Sequence, residues 1–186
     1  MSLSNTSASK LLVENLSLLK NLSYDNGALD LACGAGRNGL LLASDNIPVT
    51  FADCNGAKLA ILAGELRNRR LDGVCWQVDL EATGRDPLEH KRFDLILVFN
   101  YLHRPLMASI RQALRPGGLI MYETFTTHQL EFGKPTNPNY LLRPGELLGS
   151  FNEWEVELYF EGERQPTQKE RRCAKASLIA RKPKQK

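Results

Sequence analysis

Three aspartates and three glycines carry the spacing in this sequence most able to do chemistry. The run Asp30-Leu-Ala-Cys33-Gly34-Ala35-Gly36-Arg-Asn-Gly39 sets a carboxylate just ahead of a glycine-rich stretch. Gly34 and Gly36 have no side chains, so a ligand can approach the backbone N–H groups there, with Cys33 and Ala35 as immediate neighbours. Two more acids follow apolar runs. Asp53 closes the run over 47–52, and Asp79 follows 73–78 in Val78-Asp79-Leu80. A carboxylate in the first position can take both hydroxyls of a ribose. One in the second can accept from an adenine amino group.

The glycines alone leave two ligands open. Gly34-x-Gly36-x-x-Gly39 satisfies the fingerprint of a dinucleotide loop, a weak signal by itself. Asp30 weighs against that reading, because a carboxylate so near the glycines would repel a pyrophosphate. S-adenosylmethionine has no phosphate, and its amino group and sulfonium are both cationic. A carboxylate at a strand end suits such a ligand through charge-assisted hydrogen bonds. The dinucleotide loop stays as the alternative.

Residues so spaced need an α/β frame to hold them. Apolar runs over 27–32, 47–52, 73–78, 93–99 and 119–125 alternate with helix-like stretches that begin at 39 and cover 57–70 and 105–114. The run over 93–99 is almost wholly apolar, the mark of a central strand buried on both faces. The residues at 115–118, Arg-Pro-Gly-Gly, are a stop signal for the preceding helix. Alternation of this length predicts a doubly wound, mostly parallel sheet. Beyond it, 126–144 is long and proline-rich, 145–151 suits one short helix, and 154–160 with 174–180 suit an antiparallel pair. The expected single domain has a helical cap at 1–24, including an amphipathic helix over 11–19. A cofactor-binding core follows at 25–125, then a lid loop and hairpin at 126–186.

With 186 residues the chain can bury one core of its own. A net charge of +3 is too small to be a nucleic-acid footprint, and the basic clusters at 67–70, 169–172 and 181–186 read as solvated helix faces or a frayed tail. No apolar run approaches the roughly 18 residues that span a bilayer, and the polar start does not read as a signal peptide. Four cysteines without a C-x-x-C pair, and no clustered histidines, argue against zinc and fit buried, reduced thiols. The expected partner is therefore a small-molecule substrate, with nucleic acid or protein less favoured, no membrane, no metal, and a cytoplasmic location.

Asp-Leu-Ala-Cys-Gly-Ala-Gly at 30–36, Val-Asp-Leu at 78–80, FDLILVFNYLH at 93–103 and LRPGGLI at 114–120 together resemble class I S-adenosylmethionine-dependent methyltransferases. The resemblance covers about 27–125 and departs from the family pattern at Ala32, which stands where the first glycine is usual. The run CGAGRNGLLLA at 33–43 is similar, more narrowly, to the tellurite-resistance methyltransferases and their thiopurine methyltransferase relatives. What this implies is a Rossmann-like, seven-stranded sheet with a reversed last hairpin. It also implies Asp30, Gly34 and Gly36 at the methionine end of the cofactor, Asp53 at the ribose, and Asp79 with Leu80 at the adenine. Cys54 would line the adenine pocket, and Asn100 would lie near the methyl group. The product would be S-adenosylhomocysteine.

Methyl transfer from a sulfonium is an in-line displacement with an activated donor, so proximity and orientation supply much of the rate. An oxygen or nitrogen acceptor needs a general base as well. The candidates are Tyr101, His103, Arg104, Glu123 and His128. His103 follows the strand-four motif directly and is of the residue type suited to proton transfer, Glu123 suits a carboxylate pointing into the cleft, and Tyr101 suits a wall of the methyl pocket. Arg104 either orients an acidic substrate or lies solvated on the surface. The loop over 126–144 is expected to act as a substrate lid or as a flap on the sheet edge. An RNA or protein methyltransferase, and a catalytically silent cofactor-binding domain working through a partner, remain as other functions.

Overall fold

The apolar run over 93–99 lies at the centre of a seven-stranded sheet, and every one of its side chains is buried. The computed structural model describes residues 8–165 and 172–184. Five strands form the parallel part: β1 (Ala28–Leu31), β2 (Val49–Asp53), β3 (Gly73–Gln77), β4 (Phe93–Phe99) and β5 (Leu114–Phe125). The last two strands, β6 (Glu155–Arg164) and β7 (Cys173–Arg181), form a hairpin whose second strand inserts antiparallel beside β5. The order across the sheet is β3-β2-β1-β4-β5-β7-β6. This is the Rossmann-like, doubly wound arrangement with a reversed C-terminal hairpin.

Two apolar cores explain why strands β1 and β4 are apolar on both faces. One side buries Leu29, Leu31, Ile96, Val98, Ile120 and Tyr122 beneath α5 (Met107–Ala113) and α6 (Glu146–Ser150). The other buries Ala28, Phe51, Leu95, Leu97, Leu119 and Met121 beneath α1 (Lys10–Glu14), α2 (Leu16–Leu19), α3 (Arg37–Ser44) and α4 (Gly56–Arg69). Helices on both faces of a parallel sheet leave no strand face for water, so alternation vanishes from the pattern. Asp94 is the exception within β4. It is 1% exposed, accepts the Asn26 N–H at 2.6 Å and pairs with Arg115 Nε at 2.6 Å.

Three local features differ from the sequence expectations. The single helix over 11–19 is two short helices broken at Asn15, whose Nδ2 donates to the Leu11 carbonyl at 2.8 Å. That side chain competes with the helical ladder for the carbonyl. The stop signal at 115–118 does end α5, but it lies inside β5 rather than ahead of it. Phe93 pairs with Leu114 and Leu95 with Leu119, so the segment between bulges out of register. A side chain on Gly118 would meet the Asp94 carbonyl at 2.8 Å, which fixes the bulge. No disulfide joins the four cysteines, and none is fully buried as expected: Cys33, Cys75 and Cys173 are half-buried and Cys54 is exposed. The basic cluster at 169–172 falls, except for Arg172, outside the described residues, as do the last two residues of the cluster at 181–186.

Candidate functional site

The C-terminal ends of β1 and β4 open onto a cavity of about 540 Å³. Asp30, Ala32, Cys33, Gly34, Ala35, Arg37 and Asn38 line it from the β1 side, Phe99 and Asn100 from β4, and Ala8 from the N-terminal segment. It continues between α3 and α4 past Leu40, Leu41, Ser44, Glu65 and Arg69.

Asp30 holds the loop together. Its Oδ2 accepts the Gly39 N–H at 2.9 Å, while Oδ1 accepts no hydrogen bond among the described residues. Burial pushes its carboxyl up to about 7, against smaller opposing effects of the Gly39 N–H and the Arg37 charge. A buried acid with a free oxygen facing a cavity is poised for a cationic partner. The backbone after it is shaped for close approach. Gly36 has φ +75°, and a Cβ there would stand 2.7 Å from the Leu62 side chain. A Cβ on Gly34 would meet nothing within 4 Å, so the place a side chain would fill is open to a ligand. Ala32 adopts φ +53°, the left-handed region where a glycine would rest without strain.

Asp53 serves the same loop. Its Oδ2 accepts the Gly34 N–H at 2.8 Å and its Oδ1 accepts the Asn55 N–H at 2.9 Å. Asp79 accepts the Glu81 N–H at 2.9 Å and is otherwise exposed, and Leu80 beside it is buried. Gly36, Asp53, Cys54, Asp79 and Leu80 do not line the cavity itself. On that side the structure brings Tyr101 towards Cys54, Asp79 and Glu81. Burial and the Glu81 carboxylate, then Asp79 and Cys54, raise the Tyr101 hydroxyl well above the tyrosine range. The Tyr101 hydroxyl is buried without a satisfied hydrogen-bond partner. A buried orphan oxygen, a free buried carboxylate oxygen and an open backbone at Gly34 fit a nucleoside carrying polar and cationic groups.

The catalytic candidates fall into two groups. His103 is half-buried, with Nδ1 4.0 Å from Glu81 Oε2, and so belongs with Tyr101. Glu123 lies elsewhere, beside Asn100. Its Oε1 accepts from Lys175 Nζ at 3.2 Å, and its Oε2 accepts from Ser177 Oγ at 2.8 Å with Arg164 Nη2 at 3.5 Å. Lys175 Nζ also donates to Asn100 Oδ1 at 2.7 Å. Asn100 itself has φ +55° and donates its N–H to the Glu123 carbonyl at 2.8 Å.

Arg104 is not a solvated arginine. It donates to both oxygens of Glu146, at 2.6 and 2.8 Å, and to the carbonyls of Asn139 and Leu141. These bonds pin the end of the proline-rich loop, where Leu141 and Leu142 are fully buried and Thr126 bridges Leu142. His128 lies against Glu131, Glu163 and the Phe132 ring, away from Asn100's partners. Sequence reasoning missed Glu81, Lys175, Ser177 and Arg164, and also the strap in which the buried Ser9 N–H donates to Asn38 Oδ1 at 2.8 Å. Glu81 had a signal, two residues beyond Asp79. The others had none in their own neighbourhoods.

Comparison with known proteins agrees with this geometry. Residues 29–120 match the family described as a methyltransferase domain. No curated protein matches the chain. Among solved structures, TehB from Haemophilus influenzae superposes with a TM-score of 0.76 at 23% identity, over 96% of this chain. The chain spans 64% of TehB's length. The N-methyltransferase NodS from Bradyrhizobium japonicum gives 0.66 at 16% identity, covering 92% of this chain and 94% of that one. The [4+2]-cyclase SpnF gives 0.65 at 17% identity, covering 99% and 86%. At these identities the likeness is one of fold.

Proposed function

We propose, from the match of residues 29–120 to a methyltransferase-domain family model and from a fold shared with S-adenosylmethionine-dependent methyltransferases, that this chain binds S-adenosylmethionine and methylates a small molecule, releasing S-adenosylhomocysteine. The observation that carries the reading is Asp30: a buried carboxylate with one oxygen free, facing a cavity across the open backbone of Gly34. The cofactor supplies a methyl group already activated on a sulfonium. Asp30, Cys33, Gly34, Ala35 and Gly36 hold its amino-acid end. Asp53 takes the ribose hydroxyls, and Asp79, Leu80, Cys54 and the orphan hydroxyl of Tyr101 form the adenine side. Asn100 stands at the methyl end.

The chain's own contribution is to align and to dry the site. Phe99, Ala8 and the strap between Ser9 and Asn38 close it from one flank. Glu123 has both oxygens committed to Ser177, Lys175 and Arg164, so it serves to hold cations rather than to accept a proton. Where an acceptor must lose a proton, we assign that role to His103, whose Nδ1 lies 4.0 Å from Glu81 Oε2. A small-molecule acceptor agrees with the small net charge of +3. Among the described residues no helix is long and apolar enough to cross a membrane.

A thermal-shift series with S-adenosylmethionine, S-adenosylhomocysteine, NAD and NADP tests the cofactor. Ligand at 100 times its dissociation constant stabilises the fold by about 2.7 kcal/mol. The adenosyl ligands should shift the transition and the dinucleotides should not. A response to NAD or NADP alone, or to none of the four, would sink the reading. Because the fold is shared with a [4+2]-cyclase, transfer of a labelled methyl group into an acceptor pool is the readout for the reaction itself.

A further inference from the structure

The hairpin β6–β7 brings two cations to the rim of the cofactor cavity. Register pairs Phe99 with Glu123, Glu123 with Ser177 and Ser177 with Phe160, so these residues form one row across the sheet. By strand alternation the row lies on the face that carries Asp30. The next row, towards the end of β5, is Phe125, Lys175 and Gly162. Lys175 Nζ reaches back to Asn100 and Glu123 and lies 4.8 Å from the Phe125 ring centroid. Arg164 Nη2 donates to Ser177 Oγ at 2.8 Å, and its guanidinium sits 4.2 Å from the Phe160 ring centroid.

The charges there do not balance. Glu123 is the one carboxylate, among the described residues, in contact with either cation, and it is shared by both. One positive charge is left over, shared between Lys175, 14% exposed, and Arg164, 37% exposed. Burying an uncompensated cation is costly unless an anion completes the set. Donors are also left over. The Lys175 ammonium makes two hydrogen bonds with its three N–H groups, and Arg164 Nε and Nη1 make none, among the described residues. Gly162, opposite Lys175, puts no side chain over it, and the nearest atom to a Cβ there would be Phe160 Cζ at 3.5 Å.

We propose that Lys175 and Arg164 bind an anionic group, carboxylate or phosphate, on the small-molecule acceptor, with Phe125 and Phe160 flanking its flat apolar body. The proposal rests on the reading of Asn100 as the methyl end, since Lys175 ties the anion site directly to that residue. Arg104, the arginine first in line for an acidic substrate by sequence, is excluded because Glu146 and two carbonyls occupy it.

The test is calorimetric titration of the protein saturated with S-adenosylhomocysteine, using benzoate, phenyl phosphate and neutral benzamide as probes. The two anions should bind at least tenfold more tightly than benzamide, and whichever of them binds more tightly identifies the group. Arg164→Gln and Lys175→Met should each remove that preference, while Lys175→Arg keeps it. Arg164 is partly exposed, so its variant remains informative if Lys175→Met fails to fold. Equal affinity for benzoate and benzamide, no binding of either anion, or an Arg164→Gln protein that keeps the preference would each overturn the proposal. Binding of S-adenosylhomocysteine in the same sample reports separately on the cofactor reading: its loss in the parent protein defeats that reading, whereas its presence without an anion preference defeats only this one.

Discussion

The backbone N–H of Gly39 and the carboxylate of Asp30 meet at 2.9 Å across the first turn of α3, and no side chain fits between them. A Cβ on Gly39 would stand 2.9 Å from Asp30 Oδ2 and 2.3 Å from the Phe51 ring. The third glycine of the loop is thus a packing requirement, set by the acid it anchors. Gly39→Ala should destabilise the fold by about 1–3 kcal/mol, the usual cost of overpacking. Chemical denaturation checks this, and an unchanged midpoint would mean that α3 shifts freely.

Asp30 makes the free protein sensitive to pH. Its carboxyl is held near 7 when folded, above the ordinary value of 3.8, so the folded state binds the proton more tightly. That contribution is intact below about 4 and is lost as pH rises through 7. Asp30→Asn should therefore raise the melting temperature of the cofactor-free protein at pH 8 and leave it nearly unchanged at pH 4. Melting curves at both values decide the point.

The same proton controls the cofactor. A cationic ligand needs the ionised form of Asp30, so S-adenosylmethionine should bind more tightly as pH rises from 6 to 8, with release of a proton. In Asp30→Asn the affinity should fall by tenfold or more and the pH dependence should disappear. Calorimetry in buffers of different ionisation enthalpy measures the proton directly.

Asp53 ties two backbone donors, besides its proposed place at the ribose. Asp53→Ala should weaken S-adenosylmethionine binding by tenfold or more and also cost about 1–2 kcal/mol of stability, because the Gly34 and Asn55 N–H groups lose their acceptor. Equal affinity in the variant and the parent would remove Asp53 from the site.

Arg104→Ala should release the loop that ends at Glu146. Two carbonyls and a carboxylate lose their donor, for a loss of about 1–3 kcal/mol. Hydrogen exchange around 139–146 should rise while exchange in β4 stays slow. Arg104 and an N–H of Arg143 hold the Glu146 carboxyl below its ordinary value, so the stability it contributes is present above about pH 4.5 and lost on acidification below it.

How far the sequence could be read follows from the range of each interaction. The glycine loop, the acids at the ends of β1 and β2 and after β3, and the buried β4 are local patterns, and the doubly wound, mostly parallel sheet follows from the alternation of strands with helices. Lys175 could not be found this way. Its meeting with Asn100 joins residues 75 apart and depends on the antiparallel register of β5 with β7. The same holds for Arg104, whose partner Glu146 is 42 residues away. The glycines at 117 and 118 were read as punctuation, yet their place inside β5 depends on a bulge against Asp94, a tertiary contact.

The insertion of β7 between β5 and β6 also dictates an order of assembly. As the chain emerges during synthesis, β1 to β5 can pair with one another well before residue 173 appears. Until β7 arrives, however, β5 presents an unpaired edge over the seven residues 119–125, and β6 has no strand to join. β7, made after the other six strands, is the one that joins β5 to β6 and brings Lys175 to Asn100. A nascent chain halted short of β7 would therefore hold the glycine loop without the proposed acceptor side, with a sticky edge that invites pairing with another chain.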